Sequence, residues 1–309
     1  MDSEVKLYND KVTLKFNHAQ HRYYVQIIDS DGNKLPTVYP SGVTSILKSL
    51  YDQTNLLDWY SGMASKDIVK ALAPEVSAEL EQAFLDIYNK KPPLQMLYTK
   101  TLNISWPLLL DLYKKGLEAP HTRSQFGKDV GTQTHEAVDR YHKTGKAFID
   151  ITGIDANDKA AQKSLDMYVK WFENSGLTVE KSEVMVYSVM HNFAGTLDRI
   201  YKRPDGKLVM GDFKTSNISR SAPLGIREAY WSQLGAYMVA YQEEHKVEFA
   251  DAVIVNSPKK GTIKIGYASD MNVTTDSLKQ VWLDDLRAMN NHKQIIKAQY
   301  SLKSRAVEK

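Results

Sequence analysis

Residues 193–214 read FAGTLDRIYKRPDGKLVMGDFK, and this stretch decides the fold of the chain. Phe193–Tyr201 and Lys207–Lys214 have the length and the residue types of β-strands. Pro204-Asp205-Gly206 between them is a strong turn signal. We therefore predict that the two strands form an antiparallel hairpin.

The hairpin places charged side chains close together. Side chains alternate across a strand, so Asp212 and Lys214 lie on one face and Phe213 lies on the other. With the turn at 204–206, the register puts Asp198 roughly opposite Asp212. Two neighbouring carboxylates repel each other, and a hard divalent cation such as Mg²⁺ relieves that repulsion. A surface ion pair is the structural alternative for the Asp-x-Lys motif.

The elements around the hairpin predict an α/β architecture. The chain from residue 124 reads as two helices, three strands, a helix, two strands and a last helix. This order is typical of a mixed β-sheet core flanked by helices. In chain order, the remaining predicted elements are Ser124–Lys143, Asn157–Ser175, Glu183–Met190, Ile226–Glu244, Asp251–Asn256, Thr262–Tyr267 and Thr275–Lys297.

The N-terminal third has a different pattern. Lys11–Phe16 and Arg22–Ile28 predict a hairpin, and Pro40–Thr44 reads as the capped start of a helix. Helical apolar spacing continues from about Asn55 to Lys115, with proline interruptions. We therefore divide the chain into an N-terminal hairpin plus a mostly helical accessory region, 1–115, and a core with a C-terminal helix, 116–309.

Composition excludes several classes of protein. The chain has 309 residues, 42% of them hydrophobic, and a formal charge of +3, which is too small to identify a partner. It has no cysteine, which excludes disulfides, a thiol nucleophile, cysteine zinc sites and an iron–sulfur cluster. No run of 18 apolar residues and no signal-peptide pattern is present, so we expect a cytoplasmic protein.

Three further residues could join the acids of the hairpin. Gln233 and Tyr237 stand four apart on the predicted helix that follows, so they share a face and offer neutral hydrogen bonds. His135 lies on the first helix of the core, one turn after Gly131, and a neutral imidazole there could complete a metal site with Asp198 and Asp212. Taken alone, each of the three is more commonly a structural residue.

Together these motifs resemble a known family. The order is Gly131-Thr132-x-x-His135, Glu183, Gly195-Thr196-x-Asp198, Asp212-Phe213-Lys214-Thr215 and Gln233-x-x-x-Tyr237. Over about residues 124–268 this resembles the PD-(D/E)XK nuclease superfamily, in particular its RecB-like exonuclease branch. Ser41–Leu47 is similar to the N-terminal segment of phage-encoded members and of mitochondrial single-strand exonuclease relatives. The sequence departs from the family in that Asp198 follows Leu197 rather than proline, and the iron–sulfur staple of some members is absent.

The resemblance implies a restriction-endonuclease-like fold and a metal-dependent deoxyribonuclease. One or two Mg²⁺ or Mn²⁺ ions would be held by His135, Asp198, Asp212 and the carbonyl of Phe213. Lys214 would orient the attacking water or offset charge in the transition state. Gln233 and Tyr237 would position DNA or a water. Glu183 would hold the metal shell or pair with a lysine.

The expected substrate is DNA with free, single-stranded ends, and the expected setting is replication, recombination or repair in a phage-infected or bacterial cell, with protein partners from those processes. Candidate phosphate contacts are Arg123, Lys128, Arg140, Arg199, Arg220 and Lys259-Lys260. Three alternatives stay open. They are an endonuclease of the same superfamily, a catalytically inactive DNA-binding protein, and an unrelated α/β protein with a surface ion pair.

Overall fold

A computed structural model describes residues 2–51, 106–147, 156–216, 226–259 and 261–307. The chain divides into two compact units, residues 52–129 and residues 1–51 together with 130–309. Most of the predicted helical region 55–115 lies outside the described residues. The division predicted at residue 115 stays a prediction.

The unit formed by residues 1–51 and 130–309 begins with a small antiparallel sheet. Its strands are β1 (Ser3–Leu7), β2 (Val12–Asn17) and β3 (Arg22–Ile27), in the order β1-β2-β3. The last two are the predicted hairpin, whereas β1 was not predicted because its residues are mostly polar and exposed. The inward face buries Leu7, Val12, Leu14 and Val25 against two residues of the main sheet, Tyr187 and Ala194.

The remaining elements form the core. In chain order they are β4 (Ser41–Gly42), α1 (Val43–Leu50), α2 (Trp106–Thr144), α3 (Ala156–Ser175), β5 (Thr178–Ser188), β6 (Phe193–Lys202), β7 (Leu208–Lys214), α4 (Glu228–His245), β8 (Phe249–Asn256), β9 (Lys264–Tyr267) and α5 (Thr275–Val307). Among the residues in the described ranges, no helix combines the length and the apolar character that a bilayer crossing requires.

The core is a mixed six-stranded sheet in the order β4-β6-β7-β8-β9, with β5 on the other edge of β6. Strands β5, β6 and β7 form the predicted antiparallel meander, β7 and β8 are parallel, and β8 and β9 are antiparallel. The prediction of a mixed sheet flanked by helices is confirmed, and the architecture is consistent with a restriction-endonuclease-like fold.

Helices cover the sheet through apolar side chains on both faces. Leu197, Ile200 and Met210 belong to one cluster with residues of α1, α4 and α5, which include Leu234 and Trp282. On the other face, aromatic residues of α3 meet the sheet, as in the contact of the Tyr168 ring with the Phe213 ring at 4.9 Å. Alternation along β7 therefore sends Phe213 and its neighbours to opposite faces, as predicted.

The start of α1 differs from the prediction of a capped helix. Gly42 is the N-cap residue, and it makes no side-chain capping hydrogen bond. Instead, Ser41 and Gly42 form a short parallel strand against Phe193 and Ala194 of β6. Sheet pairing thus fixes the start of α1, and it brings the N-terminal segment to the strand that carries Asp198.

Close packing of α4 on α5 gives a stability prediction. A methyl group added at Gly235 would lie 2.1 Å from the carbonyl oxygen of Leu278, which is backbone and cannot rotate away. Although alanine usually stabilises a helix interior by about 1 kcal/mol relative to glycine, we expect Gly235→Ala to lower the free energy of unfolding by about 1–3 kcal/mol or more. Gly131→Ala is the control, because its methyl would meet only the Thr215 hydroxyl, at 3.3 Å. Equal denaturation midpoints for both variants would contradict the predicted clash.

Candidate active site

Three acidic residues lie side by side across three neighbouring strands. In the β5–β6 ladder, the pairs Ser182↔Arg199 and Val184↔Leu197 place Glu183 opposite Asp198. The β6–β7 ladder, continued by one residue from the pair Arg199↔Gly211, places Asp198 opposite Asp212. The register that the sequence predicts for Asp198 and Asp212 is therefore the register of the structure.

The sheet opens at Asp198. The pairing of β6 with β7 ends at Arg199, while β4 pairs with Phe193 and Ala194 at the other end of the same edge. In the gap between them, the backbone N–H of Phe213 donates a hydrogen bond to Asp198 Oδ2 at 2.8 Å. A side-chain carboxylate thus takes the place of a ladder carbonyl, which fixes its orientation at the point where the strands separate.

Asp212 and Lys214 form a buried ion pair. Lys214 Nζ lies 2.6 Å from Asp212 Oδ1, and the two side chains are 19% and 0% exposed respectively. The surface ion pair, which was the structural alternative for this motif, is therefore wrong. Within the described part of the chain, Asp212 Oδ2 is buried and has no hydrogen-bond partner. A buried carboxylate oxygen without a donor is suited to a cation.

A second group of ligand atoms lies beside this pair. One ligand atom each of His135, Glu183 and Asp198 all lie within 4.8 Å of one another. Two ligand atoms of one Mg²⁺ ion, each about 2.1 Å from it, lie at most about 4.2 Å apart, so small side-chain rotations would suffice. Imidazole and carboxylate are also ligands that Mn²⁺ accepts. The residues present therefore fit a divalent cation.

The backbone and the neighbouring groups hold two of these ligands in place. Glu183 has a positive φ of 51°, which is uncommon for a residue with a side chain and tends to persist where function requires it. The His135 ring packs on the Phe213 ring, with centroids 4.9 Å apart. Burial lowers the pKa of His135, although Asp198 raises it in part, and a neutral imidazole is the form that binds metal.

The carboxyl groups differ in how readily they ionise. Burial raises the pKa of Asp212 to about 7, and the nearby charge of Asp198 adds to the shift while Lys214 opposes it. Burial and the charge of Asp198 also raise the pKa of Glu183 to about 7. Burial would raise the pKa of Asp198 as well, but Lys214, His135 and the Phe213 N–H lower it below its usual range. Asp198 therefore ionises more readily than Asp212 and Glu183, which ionise near neutral pH.

Arg199 lies at the back of the site and does not face solvent. Its side chain is 2% exposed. Its guanidinium donates to Glu183 Oε1 at 3.3 Å and to the Asp198 carbonyl at 2.6 Å, and it lies 3.9 Å from Asp139 Oδ1. The prediction that Arg199 contacts DNA phosphates is wrong, because β6 buries it beneath the acids. Nothing in the sequence around Arg199 indicates that it holds Glu183 in place.

The other residues predicted to contact phosphates do not form one surface among the described residues. Lys259 is half-buried, and its Nζ donates to the Thr215 carbonyl at 2.7 Å. Lys128 is exposed. Arg220, Lys260 and the side chain of Arg123 lie outside the described residues. A DNA path over basic residues therefore stays a prediction.

Gln233 and Tyr237 lie on the side of the site formed by α4. Gln233 Nε2 donates to the Tyr237 hydroxyl at 2.8 Å, and both residues are buried. A methyl group at Gly195 would lie 2.6 Å from the Tyr237 ring, and one at Gly211 would lie 2.2 Å from the Tyr201 ring. Glycine inside a strand often marks the close approach of another group, and at both of these positions a tyrosine ring makes that approach.

A cleft of about 1070 Å³ opens onto the site. It lies between the small N-terminal sheet, the β4–α1 junction, strands β5 and β6, and helix α4. Its walls include Glu183, Asp198, Gln233 and Tyr237. The N-terminal residues in the walls of this cleft were not predicted from the sequence. Tyr23 is one of them, and its hydroxyl lies 3.1 Å from Thr196 Oγ1. Among eighteen tyrosines, no local pattern distinguishes this one.

Comparisons with known proteins identify one family for most of this chain. A family model described as the PD-(D/E)XK nuclease superfamily matches residues 111–303. The crystal structure of SSO0001 is similar to the chain with a TM-score of 0.26 and 14% sequence identity, over 52% of this chain and 74% of that one. No curated protein matches the chain.

Proposed function

Since this chain belongs to the PD-(D/E)XK nuclease superfamily, we propose that it hydrolyses phosphodiester bonds in DNA, from free single-stranded ends, with Mg²⁺ or Mn²⁺ as cofactor. The superfamily consists mostly of nucleases that use divalent metals. The observation that carries the proposal is the buried Asp212–Lys214 pair beside Asp198, at the point where β6 and β7 separate. A pair of carboxylates with a lysine beside them, next to a cleft that Asp198 lines, can bind a divalent cation and offset charge on a phosphate.

His135, Glu183 and Asp198 would hold a cation together with Asp212, whose Oδ2 has no donor among the described residues. The Phe213 carbonyl, which the family resemblance adds to the ligand set, follows directly in β7. A divalent ion bound there would polarise the scissile phosphate and lower the pKa of a bound water. Because ligand carboxylates must be ionised, Asp198 supplies the charge at all relevant pH values.

Lys214 supplies the positive charge of the protein itself. Although burial lowers the pKa of Lys214, Asp212 and Asp198 raise it above its ordinary value, so the side chain stays protonated beside Asp212. The ammonium can orient the attacking water with one N–H and offset the charge that develops on the phosphate oxygens. Water oxygen bonds to phosphorus, the ester P–O bond breaks, and the departing oxygen takes a proton.

Gln233 and Tyr237 would position the substrate rather than react with it. Their side chains are joined at 2.8 Å and line the cleft next to Asp198. Neutral amide and hydroxyl groups can hydrogen bond to a phosphate or to a water without changing the charge of the site. The proposed site thus combines acids, a lysine and neutral hydrogen-bonding groups, which different strands and helices contribute.

The exonuclease reading rests on the resemblance to the RecB-like branch, and the setting we propose is replication, recombination or repair of phage or bacterial DNA. Ser41–Leu47, the segment similar to phage-encoded members, contributes β4 and the start of α1, and several of its residues line the cleft. An endonuclease of the same superfamily would use the same side chains. Only the substrate separates the two activities.

The test is digestion of end-labelled linear single-stranded, linear double-stranded and covalently closed circular DNA. Each is incubated with Mg²⁺, with Mn²⁺ and with EDTA, beside an Asp212→Asn control. We expect only linear DNA to disappear, only with metal, and not with the variant. Cleavage of circular DNA would show that the protein is an endonuclease and not an exonuclease. If no DNA is cleaved with any metal, the alternative of a catalytically inactive DNA-binding protein stands.

Metal binding is also expected to stabilise the fold. Binding to the folded state alone at a hundred times Kd adds about 2.7 kcal/mol, which raises Tm by several degrees. Because the pKa values of Glu183 and Asp212 are about 7, protons compete with the cation below that pH. The Tm shift should therefore be larger at pH 8 than at pH 6. Asp198→Asn should abolish the shift, and an equal shift in that variant would place the metal elsewhere.

A further inference from the structure

The inward face of the small N-terminal sheet continues beyond its apolar core. Leu14 and Val25 are buried against the main sheet. The next inward residues towards the β2–β3 turn are Phe16 and Tyr23, which stand opposite each other in the ladder and are only half-buried. Both line the cleft that opens onto the acids. The sheet therefore presents an aromatic surface to the cleft in place of a packed core.

Four rings form this surface. The Phe16 centroid lies 4.9 Å from His18, 5.2 Å from His21 and 4.7 Å from Tyr23. We call these four residues the aromatic wall. His18 and His21 are exposed, and all four line the cleft. His18 and His21 meet the Phe16 ring edge to face, and the Tyr23 ring is tilted against it by 46°, so the four rings hold a defined orientation beside the cleft.

The aromatic wall is tied to the strand that carries the site. The Tyr23 hydroxyl is hydrogen bonded to Thr196, which stands two residues before Asp198 in β6 and so shares its face. The charges nearby suit a nucleic acid. Arg22 is exposed and lines the cleft, and the carboxylate of Glu4, which also lines it, is paired with Lys15 at 2.7 Å.

We propose that the aromatic wall stacks on unpaired bases of the DNA strand whose phosphate lies at Asp198 and Asp212, and that it selects single-stranded ends. The inference rests on the proposed function and assigns its substrate specificity to Phe16 and its neighbours. Stacking accepts any base, because every base has a flat π-face, whereas the bases of a duplex already cover one another. A wall of rings beside the acids therefore favours single strands without favouring a sequence.

The experiment measures binding in EDTA, which keeps the result independent of cleavage. A labelled oligothymidylate, an oligonucleotide of the same length with abasic sites, and a blunt duplex are titrated with unmodified protein and with Phe16→Ala, and fluorescence anisotropy gives Kd. We expect Phe16→Ala to weaken binding of the oligothymidylate about tenfold or more. Binding of the abasic strand and of the duplex should not change, because neither offers a free base. Phe16→Trp should keep the affinity.

Tyr24→Ala is the matched control, because Tyr24 is an aromatic residue of β3 on the opposite face of the small sheet, away from the acids. If Phe16→Ala does not fold, His18→Ala at an exposed position replaces it, with a several-fold loss expected in the same comparison. Unchanged binding of the oligothymidylate, or an equal loss on the abasic strand, would overturn the proposal. If the protein cleaves DNA but Phe16→Ala leaves binding of the oligothymidylate unchanged, the proposed nuclease activity stands and the role of the aromatic wall is overturned. If binding depends on the bases but no DNA is cleaved, the role of the aromatic wall stands and the proposed nuclease activity is overturned.

Discussion

Asp212→Asn is expected to lower metal-dependent cleavage by about a thousandfold or more. The substitution keeps the size of the side chain and removes one charge, so the core of β7 should be unaffected. What is lost is the anionic Oδ2, which has no donor within the described residues, and the carboxylate that holds Lys214 at 2.6 Å. A metal contributes several kcal/mol to a charged transition state, and losing that contribution corresponds to this fall in rate.

The measurement is kcat/KM on a labelled linear strand, together with circular dichroism and oligonucleotide affinity in EDTA. We expect the fold and the affinity for the oligonucleotide to stay, because asparagine keeps a side-chain oxygen for Lys214 and relieves the repulsion from Asp198. Asp205→Asn in the exposed turn between β6 and β7 is the control and should keep full activity. Cleavage by Asp212→Asn within tenfold of the unmodified protein would show that the metal is held elsewhere.

Local signals in the sequence predicted the centre of the fold. The turn at 204–206 and the alternation in β7 require no knowledge of distant residues, and they fix both the hairpin and the proximity of Asp212 to Lys214. The position of Asp198 opposite Asp212 follows from counting back from that turn. This part of the site is predictable because it depends only on strand geometry.

The parts that the sequence did not predict depend on contacts between distant segments. Ser41 and Gly42 read as a helix cap, because nothing near them indicates that β6 lies alongside. Arg199 was predicted to contact a phosphate, because an arginine in a strand is usually exposed. The two acids that pair with it, Asp139 and Glu183, come from α2 and β5, which are distant in sequence. Glycines inside strands, such as Gly195 and Gly211, are a signal of close approach, but only the folded structure identifies Tyr237 and Tyr201 as the neighbours.

Arg199→Met is expected to lower both stability and metal affinity. The methionine fills the buried space but leaves Asp139 and Glu183, whose side chains are 19% and 46% exposed, without their guanidinium, so we expect a loss of about 1–3 kcal/mol. Without the hydrogen bond at 3.3 Å, Glu183 can rotate away from His135 and Asp198, so we expect metal affinity to fall about 10- to 100-fold. Denaturant unfolding and calorimetric titration with Mn²⁺ measure the two effects.

Arg203→Met is the control that distinguishes the positioning of Glu183 by Arg199 from a general loss of stability. Arg203 also pairs with a buried acid, as its Nη2 lies 2.8 Å from Asp251 Oδ2, but this pair lies outside the group of metal ligands. It should therefore lower stability and leave Mn²⁺ affinity unchanged. The Arg199 charge lowers the pKa of Glu183 and so opposes the effect of burial. Arg199→Met should therefore shift the pH dependence of Mn²⁺ affinity to higher pH. If both variants bind Mn²⁺ equally at every pH, Arg199 supports the sheet only, and Glu183 reaches the metal without it.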